Sequence, residues 1–123
     1  MDLSVKLGNL KLKNPVTAAS GTFGYAFEFE ELVSLKDLGA IITKTITREP
    51  RRGNPAPRLA ETAAGMLNAI GLQNEGLANF IEDKFPLLKR IGTEIIVSVS
   101  GTSADDFIYC VEKLERPEFP QLN

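Results

Sequence analysis

An α/β fold built on a parallel β-sheet is predicted by three observations. Short β-branched runs alternate with segments of three- and four-residue apolar spacing. Gly39 and Gly92 each stand between a helix-like segment and the strand after it. The first strand, helix, strand unit closes within about 30 residues, and strands separated in this way run parallel through right-handed crossovers.

Taken in order, Ser4 to Leu12 alternate at Val5, Leu7, Leu10 and Leu12 around Gly8-Asn9, which predicts a short β-hairpin serving as a lid or plug. Asn14-Pro15 breaks the pattern, and Val16 to Ala19 is a strand running into the glycine loop Ser20-Gly21-Thr22-Phe23-Gly24. Phe27, Phe29, Leu32, Val33, Leu35 and Leu38 predict a helix with Gly39 as its C-cap. Ala40 to Ile46 is the second strand. Thr47 to Gly76 has neither period and holds four glycines and three prolines, so it reads as a long irregular segment. Its apolar content (Leu59, Met66, Leu67, Ile70, Leu72) favours an ordered loop covering a ligand. Helical spacing resumes from Leu77 to Ile91, with Pro86 bending or interrupting it and Gly92 ending it. Glu94 to Ser100 is the third strand, and Ser103 caps a helix running to about Leu114, with Asp105 and Asp106 in its first turn. Arg116-Pro117-Glu118-Phe119-Pro120 stops that helix.

A barrel and an open sheet both accommodate this order. Polar or small residues at the C-terminal end of each strand, and the lack of Gly-x-Gly-x-x-Gly after the first strand, favour the barrel. An eight-stranded barrel takes about 250 residues. The expectation is therefore the N-terminal part of a (β/α)8 TIM barrel preceded by a short β-hairpin, residues 1–123 being a truncated portion of one domain.

Composition narrows the chemistry. The 123 residues are 43% hydrophobic and 24% charged with net charge −2, and hold one cysteine and no histidine. An internal disulfide, a Ser/His/Asp triad and His-ligated zinc are excluded within the chain. The absence of a long apolar run predicts a cytoplasmic protein without a membrane span. The acidic balance argues against a broad nucleic-acid surface.

Lys44, near the end of the second strand, can present an ammonium to a barrel mouth and stabilise negative charge on a ligand; a solvent-reaching lysine is the competing reading. Asn68-Ala69-Ile70-Gly71-Leu72-Gln73-Asn74-Glu75-Gly76 offers amides that donate and accept, which suits a neutral ring with C=O and N–H groups, but also suits an ordinary turn. Arg48, Arg51, Arg52 and Arg58 fall within eleven residues. They read as a solvated loop paired to acids such as Glu49 and Glu61 in preference to a phosphate or RNA contact, because no aromatic stacking partner is evident. Cys110 shares a helix face with Phe107, Val111 and Leu114 and reads as a buried hydrophobe, not a nucleophile.

Taken together, the hairpin, Ala18-Ala19-Ser20-Gly21-Thr22-Phe23-Gly24, Thr43-Lys44-Thr45, Pro50 to Arg58 and Asn68 to Asn74 resemble the class 1 dihydroorotate dehydrogenases, FMN-containing β/α barrels of pyrimidine biosynthesis. The Asn-Ala-Ile-Gly-Leu-Gln-Asn string is most similar to the NAD-linked (type B) catalytic subunit. The resemblance implies that Ser20, Lys44, Thr45 and Ser98 contact FMN, Ser98 standing where the family usually has asparagine. It implies that Lys44, Asn68, Ala69, Ile70, Gly71 and Leu72 hold dihydroorotate or orotate. It further implies a homodimer joined to an FAD and iron-sulfur electron-transfer subunit, and a catalytic cysteine beyond Asn123, so that the 123-residue chain alone is expected to be inactive. Leu122-Asn123 is compatible with the start of the loop bearing that cysteine, but Pro120 sits badly in a central strand, and Asn123 is left unassigned. The rival readings are a dihydropyrimidine dehydrogenase or dihydrouridine synthase type of FMN barrel, and a non-catalytic binding or assembly fragment.

Overall fold

The structure is a computed structural model and describes residues 1–116; the readings placed on Pro117 to Asn123 lie outside the described residues. In chain order the strands are β1 (Val5–Leu7), β2 (Leu10–Leu12), β3 (Thr17–Ala18), β4 (Ala40–Ile42), β5 (Ile46–Thr47), β6 (Leu59–Thr62), β7 (Gly65–Asn68), β8 (Glu94–Ile96) and β9 (Val99–Ser100). The helices are α1 (Gly76–Asn79), α2 (Phe85–Lys89) and α3 (Ala104–Leu114).

The expected parallel sheet is present. β4 lies between β3 and β8, with Ala18 beside Ile41 and Ile41 beside Ile95, all parallel. Beyond a short interruption the same two chains pair again as β5 and β9, Ile46 beside Val99. Three residues, Thr43 to Thr45, separate β4 from β5, whereas two, Val97 and Ser98, separate β8 from β9. The extra residue is a bulge, which bends a strand and re-aims its side chains. Thr43 N still donates to Ile96 O at 3.0 Å and Ile46 N to Ser98 O at 2.9 Å, so the interruption is stitched on both sides.

β1 and β2 form the predicted antiparallel hairpin, turning on Gly8 at φ 60°. Of its strand residues only Leu12 is buried. Asn14 Nδ2 donates to Asp37 O at 2.8 Å, Lys13 Nζ to Lys36 O, and Gly39 N to Val16 O at 2.8 Å. These bonds dock the chain leaving the hairpin where β4 begins, the opposite end from Lys44.

The segment Phe27 to Leu38 is not the continuous helix its spacing predicts. It is two 3-10 turns, Phe27–Phe29 and Leu35–Asp37, separated by Ser34 in an extended conformation. Only Leu35 of its apolar set is fully buried, while Leu32 is 78% exposed. The first turn buries no residue and the second only Leu35, so helical apolar spacing here reflects no helical stripe. Nor is Gly39 a left-handed cap: a Cβ there would meet Asn14 O at 2.0 Å, so glycine is required by the close approach of that backbone.

The Thr47 to Gly76 segment is ordered, as expected, but not irregular throughout, because β6 and β7 form an antiparallel hairpin. All eight residues are exposed, leaving no buried face to impose the two-residue alternation by which a strand is read. The predicted helix after Gly76 is α1 and α2 joined by a π-turn at Phe80–Lys84. That wider turn and the position of Pro86 in the first turn of α2, where an amide donor is not needed, carry the chain through the proline. Gly92 follows at φ 73° as predicted. Leu77, Phe80, Phe85 and Leu88 pack with Tyr25, Ile46 and Cys110 in the main core, and Ala26, Leu35 and Ile41 form a second cluster.

α3 matches its prediction. Ser103 Oγ accepts from Asp106 N, capping the helix. Among the described residues no helix is long and apolar enough to cross a membrane.

Candidate functional site

The bulge gathers polar side chains at the C-terminal ends of the strands. Thr43 is fully buried; its hydroxyl accepts from Ser98 N at 3.1 Å and donates to Lys44 O at 3.1 Å, substituting for a backbone partner. With Thr43 turned inward, the next two residues are re-aimed. Thr45 Oγ1 lies 3.1 Å from Ser20 Oγ and 2.9 Å from Ser98 Oγ, giving a chain of three hydroxyls across three strands' ends. Lys44 N donates to Gly24 O at 3.0 Å, which fastens the glycine loop to the same bulge. Ser20, Lys44, Thr45 and Ser98, scattered in sequence, are thus neighbours in space.

The second half of the site is two laced loops. Arg51 and Asn74 exchange backbone hydrogen bonds at 2.9 and 3.0 Å, Asn54 N donates to Ile70 O at 3.0 Å, and Ala69 N donates to Arg58 O at 2.9 Å. Asn54 Nδ2 donates to Ala69 O at 2.8 Å and Arg58 donates to Gln73 Oε1 at 2.5 Å. The arginine-rich strap and the Asn68 to Asn74 string therefore form one unit. Asn74 anchors it: its buried amide oxygen accepts from Thr47 N and Gly76 N, while its amide nitrogen donates to Thr47 Oγ1 and Leu72 O.

Both halves meet at an open cavity of about 460 Å³ lined by Tyr25, Lys44, Pro50, Arg51, Arg52, Gln73, Asn74 and Glu75. Lys44 reaches it from the strand end, and the string contributes Gln73, Asn74 and Glu75. Asn68 itself ends β7 opposite Leu59, and Ala69 to Leu72 carry the chain from that hairpin to the cavity. Burial, with Glu75 and then Glu28 adding negative charge, pushes the Tyr25 hydroxyl pKa up, so it stays protonated as a hydrogen-bond donor at neutral pH. Tyr25, Arg51, Arg52 and Asn74 were not among the predicted site residues. The proline-interleaved arginines were the available signal, but only their pairing with Asn74 places them here.

The arginines pair differently from expectation. Arg48 lies 3.9 Å from Glu49 as predicted, but also 4.0 Å from Asp106 and 4.2 Å above the Tyr109 ring, an aromatic partner the local sequence does not reveal. Arg58 bonds Gln73, not Glu61. Cys110 is fully buried in the main core, and burial raises its thiol pKa, in keeping with a structural role. Its supposed stripe is narrower than predicted, since Phe107 and Val111 are each 43% exposed.

Parallel strands carrying hydroxyls and a lysine at their ends, with an ordered loop that shares a cavity with that lysine, define an α/β protein whose candidate site lies at the carboxyl edge of the sheet. The family model described as dihydroorotate dehydrogenase matches residues 2–122, and the chain belongs to that family. It is 52% identical over 113 residues to the catalytic subunit of dihydroorotate dehydrogenase B (NAD(+)) of Endomicrobium trichonymphae, covering 92% of this chain and 37% of the relative. It is 50% identical over 122 residues to the subunit so described from Geotalea daltonii, covering 98% and 40%. The chain thus spans about 40% of the length of such relatives. A ligand-free dihydroorotate dehydrogenase structure from Eimeria tenella shares the fold with TM-score 0.66 and 24% identity, over 92% of this chain and 35% of that one.

Proposed function

We propose that this chain forms the strand-end flavin contacts and substrate loop of an FMN-dependent dihydroorotate dehydrogenase that oxidises dihydroorotate to orotate and passes the electrons to NAD through a partner subunit. The observation that carries this reading is the Ser20, Thr45, Ser98 hydroxyl chain lying at the same bulge that brings Lys44 to the cavity.

The residues fit the cofactor. Hydroxyls donate and accept, which matches the alternating C=O and N–H groups of a flavin's polar edge. When bound, FMN supplies the two-electron acceptor. Ser20, Thr45 and Ser98 hold its polar groups, and Lys44 supplies a fixed positive charge where negative charge develops. Asn68 to Leu72 hold the dihydroorotate ring through amide and backbone groups, with the strap fixing their position. In this reading the general base is a cysteine in the part of the relatives' length that this chain does not span.

In this reading β3, β4 with β5, and β8 with β9 are the first staves of a (β/α)8 barrel. A groove of about 520 Å³, lined by Ile95, Ile96, Val97, Val99, Val111, Leu114 and Glu115, accords with it, since the next strand and helix of a barrel would pack on that face. The same reading carries a homodimer and an FAD and iron-sulfur electron-transfer partner subunit.

Replacing Lys44 by alanine in the FMN-loaded enzyme should slow flavin reduction by dihydroorotate about 100-fold or more in anaerobic single-turnover measurements. Flavin reduction at the parent rate would remove Lys44 from the site and overturn the assignment.

A further inference from the structure

The cavity that Lys44 enters also has Arg51 and Arg52 in its wall. Glu75 is the wall's carboxylate, and its charge is balanced by Lys84, whose Nζ lies 3.3 Å away. Among the described residues neither Arg51, Arg52 nor Lys44 forms a salt bridge. Three cations thus border one opening without a matching anion. Arg51 is held by its backbone through the paired bonds to Asn74, which places its guanidinium at the rim while leaving the fork free to bond. Arg52 is exposed beside it.

We propose that Arg51 and Arg52 form an anion-collecting vestibule that draws a carboxylate-bearing pyrimidine ring toward Lys44. The inference rests on the functional reading above and adds to it how the charged substrate is captured. A cleft lined by one sign of charge raises the local concentration of the opposite ion, and the effect is screened by salt. The planar guanidinium fork also suits a carboxylate better than a point charge does.

The test measures orotate dissociation by calorimetry, together with kcat/KM for dihydroorotate, in the FMN-loaded enzyme from low salt to about 0.3 M. The parent should lose orotate affinity steadily as salt rises. The R51Q/R52Q double variant should bind orotate about fivefold more weakly at low salt and show a flatter salt dependence. R51K/R52K, which keeps the charge, should recover most of the affinity. A salt-independent parent, or a double variant with parental affinity and salt slope, overturns the vestibule while leaving the functional reading intact. A parent enzyme that neither binds orotate nor oxidises dihydroorotate overturns the functional reading itself.

Discussion

The Thr43 hydroxyl accepts the Ser98 backbone amide at 3.1 Å, across a bulge where a strand carbonyl would ordinarily stand. One side chain thereby closes the ladder and sets the positions of Lys44 and Thr45, the two residues that follow it.

Replacing Thr43 by valine keeps the shape but removes the acceptor, leaving the part-buried Ser98 amide without its protein partner. A loss of about 1–3 kcal/mol follows in denaturant unfolding. Faster hydrogen exchange at Ser98 would locate the effect. Thr43→Ser, which keeps the oxygen, should lose less. Valine and serine variants of equal stability would refute this role for the hydroxyl.

Asn74 makes the hydrogen bonds that join the strap to β5 and α1, using both its carbonyl oxygen and its amide nitrogen. Asn74→Ala leaves the Thr47 and Gly76 amides without their acceptor, and the expected cost is about 2–4 kcal/mol. The change should also free the Arg51 amide to exchange, because its pairing with the Asn74 backbone depends on where that residue is held. Unaltered protection at Arg51 would mean that the two loops hold their register without the side chain.

What was legible in the sequence was whatever one element determines by itself. The β-branched runs ending in Thr43-Lys44-Thr45 and Ser98 announced strand ends with polar tips, and Ser103 announced the start of α3, because burial and capping are local demands. The β6–β7 hairpin was hidden since both its faces meet water, and the 3-10 turns from Phe27 to Asp37 since their apolar spacing imitates a helix. Arg51 and Arg52 were visible as charge but not as part of the cavity, whose wall depends on a pairing between distant segments.

Gly53 and Gly71 hold the strap closed at the points of nearest approach. At φ 73° a Cβ on Gly53 would stand 2.3 Å from Ile70 O, and at φ 79° one on Gly71 would stand 2.9 Å from Asn54 N. Gly53→Ala therefore meets both left-handed strain and a backbone clash, and should cost more than the roughly 1–2 kcal/mol of the conformation alone. Gly8 has a similar φ of 60° with nothing within 4 Å of its Cβ position. Gly8→Ala should thus report the conformational cost without the clash. Equal unfolding midpoints for the two alanine variants would show that the strap yields freely.

Acid should loosen the α3 end of the molecule. The Thr102 backbone amide, then the Thr102 hydroxyl, bond the Asp106 carboxylate, both at 3.0 Å, and hold its pKa below the usual carboxylate value. A carboxyl whose folded pKa is depressed stabilises the fold fully above its unfolded value, near 4, and loses that contribution as pH falls through the folded value. The 4.0 Å approach of the Arg48 guanidinium to Asp106 weakens over the same range, as the carboxylate loses its charge. The parent should be more heat-stable than Asp106→Asn at pH 6, and the gap should narrow as the pH is lowered toward 3. A gap that stays constant between those conditions would show that the carboxylate's charge contributes nothing and that only its shape matters.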